Sequence, residues 1–393
     1  MGISLGLVGL GAFGSAFAEL FKSHPLVDRV ALCDREGERV AHFANKPSFQ
    51  DKFSPKDAYT SLDDICRSDV DALVIITQHW LHAPQCIQAM EYGKHVYSAV
   101  PVISIPDDDE TLDWCDRIVE TTRRTGRHYM LGETTYYHAG AMFCRRKAAE
   151  RAFGHFVYSE GEYYHSFDSP ECDLRQVAAH RLASAAGQEW KQQLDAYRRR
   201  GVKGGPMHYP THSTSGPISV MRAHPVKVVC WGTPVWTDDP YFTEHLFPFS
   251  NETALFQMSN GATMRIGEHR HCGVGRETFR VYGTEAGFEN DTWVVKGQPT
   301  THLTTETMRD PLPAEVYDAF ARIEGNAGVY GGHGGSHAYL VHEFVDAIAH
   351  GRRPAINAWE AARYTAAGVM AHKSALKDGE VLVVPDWGDA PAK

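Results

Sequence analysis

The residues best able to move protons stand together in Gly204-Gly205-Pro206-Met207-His208-Tyr209-Pro210-Thr211-His212. Imidazole titrates close to neutral pH, with an ordinary pKa of about 6.5. His212 is therefore expected to be the acid–base residue of a site, with Tyr209 and His208 as catalytic partners. The glycines let a ligand approach the backbone. A helix starting at Pro210, where proline suits the first turn, aims His212 at whatever lies beyond its N-terminus. The competing reading is a set of buried, satisfied histidines. A second cluster, Gly331-Gly332-His333-Gly334-Gly335-Ser336-His337, places a glycine-flanked histidine ahead of a helix. His333 joins the catalytic candidates. The pairs His208/His212 and His333/His337 have the spacing of helical metal ligands. Pro210 interrupts the first pair, and no HExxH or cysteine-rich pattern accompanies either, so no metal is expected. Glu133, Tyr136 and Tyr137 fall where the pattern of the chain changes. A cleft is expected there, with these three in contact with substrate.

The elements that must position these groups begin near the N-terminus. Ile3–Val8 is a short apolar run of the kind found in buried parallel strands. Gly9-Leu10-Gly11-Ala12-Phe13-Gly14 follows, then an amphipathic segment to Ser23, then an apolar strand ending in Asp34. Strand, glycine-rich turn, helix, strand and acid together form a dinucleotide-binding fingerprint. The turn and the helix N-terminus receive the pyrophosphate, and Asp34 receives the adenine ribose. Asp34 favours NAD over NADP, because a carboxylate repels a 2′-phosphate, whereas Arg35 is able to pair with one. Val70–Ile76 is the next buried strand and ends at Thr77 and His79, where the sheet edge should meet the cofactor. A helix from His82 to Tyr92, strands at Lys94–Tyr97 and His128–Leu131, and a helix at Asp107–Thr125 complete a domain over residues 1–133.

Residues 134–393 form a second domain, for substrate binding and oligomerisation, whose last helices and strand are able to pack back toward the first. Strands at 155–164, 225–231, 252–258, 263–268 and 277–283 alternate as an antiparallel sheet does, and Asn260-Gly261 has the composition of a tight hairpin turn. Residues 165–203 are too long for an ordinary loop and hold a helix near Gln188–Arg200. The tail after Asp386 reads as disordered. The fold class expected is an α/β Rossmann domain followed by an α+β domain with a large, mostly antiparallel open sheet. One face of that sheet needs helices; the other is left for a second copy, giving a homodimer or homotetramer.

The chain has 393 residues and a formal net charge of −10. That balance argues against a nucleic-acid partner, which demands excess Lys and Arg. The eight cysteines show no knuckle spacing and suit a reducing, cytoplasmic compartment. No apolar run is long enough to span a membrane, and the apolar start reads as a strand rather than a signal peptide.

At these residues the sequence resembles the Gfo/Idh/MocA oxidoreductase family, two-domain NAD(P) enzymes that act mainly on sugars and cyclitols. The resemblance covers nearly the whole chain. Gly9, Gly11, Gly14 and Asp34 match the nucleotide motif; His82 and Gly93-Lys94-His95-Val96 match the segment after the fourth strand. The family continues with Glu-Lys-Pro, whose lysine contacts cofactor and substrate. Here Ala99-Val100-Pro101 stands in that place, which puts Ala99 beside the cofactor and leaves no lysine. The family's Asp-x-x-x-His is matched by His208 and His212. The departures resemble glycoside hydrolase family 109, NAD-dependent glycosidases with Glu-Val-Pro, Tyr-Pro-Thr-His and His-Gly-Gly segments. Tyr209-Pro210-Thr211-His212 and His333-Gly334-Gly335 match two of these, while Ala99 and Ser213-Thr214-Ser215 depart from the branch.

The resemblance implies an NAD-dependent oxidoreductase that moves hydride between a ring carbinol carbon of a sugar and nicotinamide. The alternative is a glycosidase that oxidises C3 transiently, eliminates the anomeric group and recycles its cofactor. A non-catalytic regulatory nucleotide-binding protein is the third possibility. Net NADH formation, glycoside cleavage without it, or binding without turnover separates the three.

Overall fold

A computed structural model describes residues 2–169, 173–325 and 328–392. The nucleotide half alternates β1 (Ile3–Val8), α1 (Ala12–Ser23), β2 (Val27–Cys33), α2 (Gly37–Ala44), β3 (Ala58–Tyr59), α3 (Leu62–Arg67), β4 (Ala72–Ile75), α4 (His82–Glu91), β5 (His95–Ser98), α5 (Asp108–Thr125) and β6 (Tyr129–Leu131). The six strands pair in parallel in the order β3-β2-β1-β4-β5-β6. The order reverses between β1 and β4, the point at which sheets of this kind bind ligands beyond the carboxyl ends of their strands. The two-residue edge strand β3 carries no apolar run and was not readable in the sequence.

Apolar faces explain the local folding. β1, β2 and β4 are buried along almost their whole length, as a doubly covered sheet requires. Helix α5 starts because the Asp107 carboxylate accepts N–H bonds from Asp109 and Glu110, and it ends at Gly126 in the left-handed region, φ 66°.

The remainder comprises α6 (Ala139–Ala149), β7 (Phe156–Tyr164), α7 (Leu174–Ala183), α8 (Ala185–Arg199), α9 (Thr211–Met221), β8 (Pro225–Pro234), α10 (Pro240–Glu244), β9 (Phe249–Met258), β10 (Thr263–His269), β11 (Arg276–Gly283), β12 (Ala286–Glu289), β13 (Thr292–Val295), β14 (Thr301–His302), α11 (Thr305–Met308), α12 (Ala314–Ala321), α13 (His337–Ala349), α14 (Ala358–Ala375) and β15 (Leu382–Val383). Nine strands form one sheet in the order β14-β13-β12-β11-β7-β10-β9-β8-β15. All its pairs are antiparallel except β7–β10, which is parallel. Helices α9 and α14 cover one face. Helix α14 also packs on α5, and Leu131 N–H donates to Ile356 O at 2.9 Å, so the C-terminal part joins both sheets.

Three departures from the sequence reading have physical causes. The 165–203 stretch holds two helices rather than one. The Asp173 and Ser184 side chains cap their N-termini, and no residue of α7 is buried, so its apolar residues form no core-facing stripe. Helices α11 and α12, of four and eight residues, are too short to show a helical period in the sequence. The tail beyond Asp386 is tied down: the Arg363 guanidinium donates to Asp386 (2.8 Å) and to Gly388 O (3.2 Å), and Trp387 donates to Asp116. The seven described cysteines are unpaired, and six are buried; Cys172 lies outside the described residues. Among the described residues no helix is long and apolar enough to cross a membrane.

Candidate functional site

The three glycines of the N-terminal turn serve different ends. Gly9 has φ +91°, and a Cβ there would stand 2.2 Å from Ile76 O. A Cβ on Gly14 would stand 1.9 Å from Gly9 O. Both are demanded by the fold. Gly11, at φ −70°, would bring its Cβ no nearer than 3.4 Å to any neighbour, the Arg39 guanidinium. Its missing side chain keeps space open at the N-terminus of α1, which has no side-chain cap and whose first residues, Ala12 and Phe13, are exposed. Free N–H groups around an open cradle fit a pyrophosphate. Asp34, at the end of β2, accepts from Leu10 N–H (2.7 Å) and Glu36 N–H (2.9 Å), which locks the acid beside the turn. Arg35 is paired with Glu189 of α8. These residues fit a dinucleotide.

At the end of β4, the Thr77 hydroxyl donates to Gln85 (2.6 Å), and His79 keeps a buried Nδ1 without a partner among the described residues. The His82 ring lies between Pro101 O (2.9 Å) and Thr77 O (3.3 Å), and Ala99 N–H donates to Ile75 O (2.9 Å). His82 and Ala99 are buried.

His212 is the second residue of α9, just after Pro210 at its cap. Its Nδ1 is 2.8 Å from Oε1 of Glu133, which is fully buried and also accepts from Thr135 N–H at 2.9 Å. The other oxygen, Oε2, is buried with no partner among the described residues. Burial pushes the His212 pKa down, but the Glu133 charge and hydrogen bond outweigh it and hold the imidazolium up to about 9. Burial likewise opposes the Glu133 charge, yet His212 keeps it below the usual carboxylate range. Nδ1–H donates to Glu133, and Nε2 has no hydrogen-bond partner among the described residues. A carboxylate that fixes one ring nitrogen and leaves the other free is an acid–base arrangement. Tyr163 packs its ring 4.7 Å from His212, and Tyr209 5.5 Å. Beneath them the Ser213 hydroxyl donates to Glu268 (2.5 Å), which also accepts from Arg270 (2.9 Å); burial lifts Glu268 to about 7.

The structure brings some candidates together and separates others. Tyr209 stays with His212, its hydroxyl donating to Val100 O at 3.3 Å. His208 turns away: Nε2 lies 2.8 Å from Asp108 of α5, and its ring lies 4.7 Å from that of His372. A short 3-10 turn ends at His208 and Pro210 begins a new helix, so the two histidines do not share a helical face. Asp108, His208 and His372 present ligand atoms within 4.8 Å of one another. His372, however, is buried between Glu252 (2.7 Å) and Lys203 O (3.0 Å); burial lowers its pKa, but Glu252 wins and holds it up to about 9. With both nitrogens donating, it has no lone pair for a metal.

His333, in the left-handed region at φ 49°, lies 2.8 Å from His337 and edge-on to Phe13, with ring centroids 5.7 Å apart. It therefore borders the nucleotide turn. Tyr136 is covered by the Arg145 guanidinium at 3.7 Å, and Tyr137 stacks on Tyr339. Glu133, expected to touch substrate, lies under His212 instead. Sequence reasoning missed Tyr163, His138 and Glu277, the last two 3.6 Å apart. The alternation of 155–164 assigns Tyr163 to one face but cannot say which face meets His212.

Residues 3–133 match the model of the Gfo/Idh/MocA oxidoreductase family, NAD-binding Rossmann fold. The chain is similar to a glycosyl hydrolase family 109 protein of Shewanella sp., 23% identical over 411 residues that cover 98% of this chain and 85% of that one. It shares its fold with the aldose-aldose oxidoreductase from Caulobacter crescentus complexed with glycerol (TM-score 0.70, 16% identity, 98% and 100% of the two chains). The same holds for scyllo-inositol dehydrogenase from Lactobacillus casei with bound NAD(H) and scyllo-inositol (TM-score 0.65, 15% identity, 98% and 99%).

Proposed function

We propose that this chain is an NAD-dependent oxidoreductase of the Gfo/Idh/MocA kind, whose family model its residues 3–133 match, and that it oxidises a ring hydroxyl of a sugar or sugar derivative with His212 as its acid–base residue. The carrying observation is the buried Glu133–His212 pair at 2.8 Å, with Nε2 unpartnered among the described residues. Bound NAD supplies the hydride acceptor. Gly11 and the first turn of α1 would hold its pyrophosphate, and Asp34 its adenine ribose. His212 Nε2 takes the hydroxyl proton when neutral and returns it as imidazolium in the reverse direction. Glu133 keeps the proton on Nδ1 in both. Tyr209 and His333 orient the substrate hydroxyls.

A second reading is favoured by Val100, which has no titratable atom, and by the family 109 relative that spans nearly the whole chain. In it the sugar is oxidised at C3, the acidified C2–H is removed, the anomeric group leaves, water adds, and the ketone is reduced again. Absorbance at 340 nm on a panel of sugars and cyclitols tests the first reading. Release of nitrophenol from nitrophenyl glycosides with no net NADH supports the second. Binding without either reaction overturns both. The unpaired, buried cysteines support a cytoplasmic location, and the outer sheet face supports assembly of two or four copies.

A further inference from the structure

The adenosine end of the nucleotide site carries two arginines. Arg35 follows Asp34 directly, and the Arg39 guanidinium lies beside Gly11. Guanidiniums beside a ribose are what a protein uses to hold a 2′-phosphate, since their paired N–H groups match its oxygens. In the folded chain each is already taken. Arg39 reaches Glu36 at 2.8 Å and Asp34 at 3.6 Å. Arg35 is held in a two-point pair by Glu189, at 3.0 and 2.8 Å. Glu189 comes from α8, 154 residues away in sequence.

Helix α8 is firmly placed across this edge of the sheet. Trp190, the next residue, stacks on Trp80 beyond β4, centroids 5.0 Å apart and planes at 8°. The Tyr197 hydroxyl donates to Glu110 at 2.9 Å, and Arg200 pairs with Asp107, both at the start of α5. The Arg35–Glu189 side chains themselves are 55% and 60% exposed. A pair so exposed adds little to stability, so its charge can be altered without unfolding the chain.

We propose that Glu189 is a cofactor-specificity residue. It withdraws Arg35 from the ribose edge and adds a third carboxylate to Asp34 and Glu36, so the site admits a 2′-hydroxyl and turns away a 2′-phosphate. This rests on the reading that Asp34 receives the adenine ribose. The test is calorimetric titration of wild type, Glu189→Gln and Arg35→Ala/Glu189→Gln with NAD+, NADP+, AMP and adenosine 2′,5′-bisphosphate. In Glu189→Gln the affinity for NADP+ relative to NAD+ rises about three- to fivefold, the scale of one exposed ion pair. The ratio for the bisphosphate relative to AMP rises in step, and the double variant loses most of the gain. An unchanged ratio overturns the proposal. So does an equal loss of both dinucleotides, which would make Glu189 a prop for α8. Asp34→Ala with undiminished NAD+ affinity would instead overturn the placement of the ribose, and the proposal with it.

Discussion

At the scale of single residues, His212 is defined by its partner more than by its type. His212→Ala should lower kcat by roughly 100-fold or more, the usual range for a lost acid–base group, while NAD titration of the same variant stays near wild type. Near-normal turnover would move the role to Tyr209 or His333. The Glu133 carboxylate makes the proton affinity of His212 a matter of pH. With its pKa up at about 9, the neutral ring that accepts a proton is scarce at pH 7, so oxidation should quicken as pH rises toward 9. Glu133→Gln removes the strongest of the charges that oppose burial, leaving Glu277 and Glu268, and should shift that limb to lower pH. A pH–rate profile of kcat/KM checks both. A stability consequence has its own sign: the raised His212 pKa gives a contribution that is full below pH 6.5 and lost as pH passes 9, whereas the lowered Glu133 pKa gives one that is lost as pH falls below the usual carboxylate range.

At the scale of elements, the turn between β1 and α1 separates folding from binding. Gly14→Ala forces a Cβ to 1.9 Å from the Gly9 carbonyl, a backbone atom that cannot swing aside. It should cost more than about 2 kcal/mol, visible as a lowered Tm. Gly11→Ala meets no atom nearer than 3.4 Å and should fold with a Tm close to wild type. Its NAD affinity should fall roughly tenfold, or ~1.4 kcal/mol, because the methyl fills the cradle at the helix N-terminus. Equal Tm losses in the two variants would contradict this division.

At the scale of the molecule, the nine-stranded sheet leaves one face uncovered. Trp231 (57%) and Leu255 (47%) are exposed on that face, on β8 and β9. Register places Val229, Leu255, Arg265, Glu160 and Arg280 in one row across it. The carboxylates of that face are already matched: Glu162 by Arg265 and Arg276, each at 2.6 Å, and Glu160 by Arg280 at 2.7 Å. Apolar side chains beside neutralised charges suit a second copy of the same sheet. Light scattering should give at least twice 43.7 kDa, and Trp231→Glu with Leu255→Glu should shift the mass toward one chain. A wild-type monomer at micromolar concentration would overturn this.

The sequence by itself determined what is local. The strand, glycine turn, helix and acid around Gly9–Asp34 are set by neighbours in the chain, because a buried parallel strand and an uncapped helix N-terminus each leave a short-range pattern. The hairpin at Asn260-Gly261 and the residue types able to move protons were legible for the same reason. Folding decided the partnerships. His212 meets Glu133 across 79 residues, while His208, four residues away, is drawn to Asp108 across 100. Arg35, which in sequence invites a 2′-phosphate, is taken by Glu189. Spacing along the chain fixes which face of an element a side chain occupies. What that face meets depends on how distant elements pack, and so does the charge a buried histidine carries.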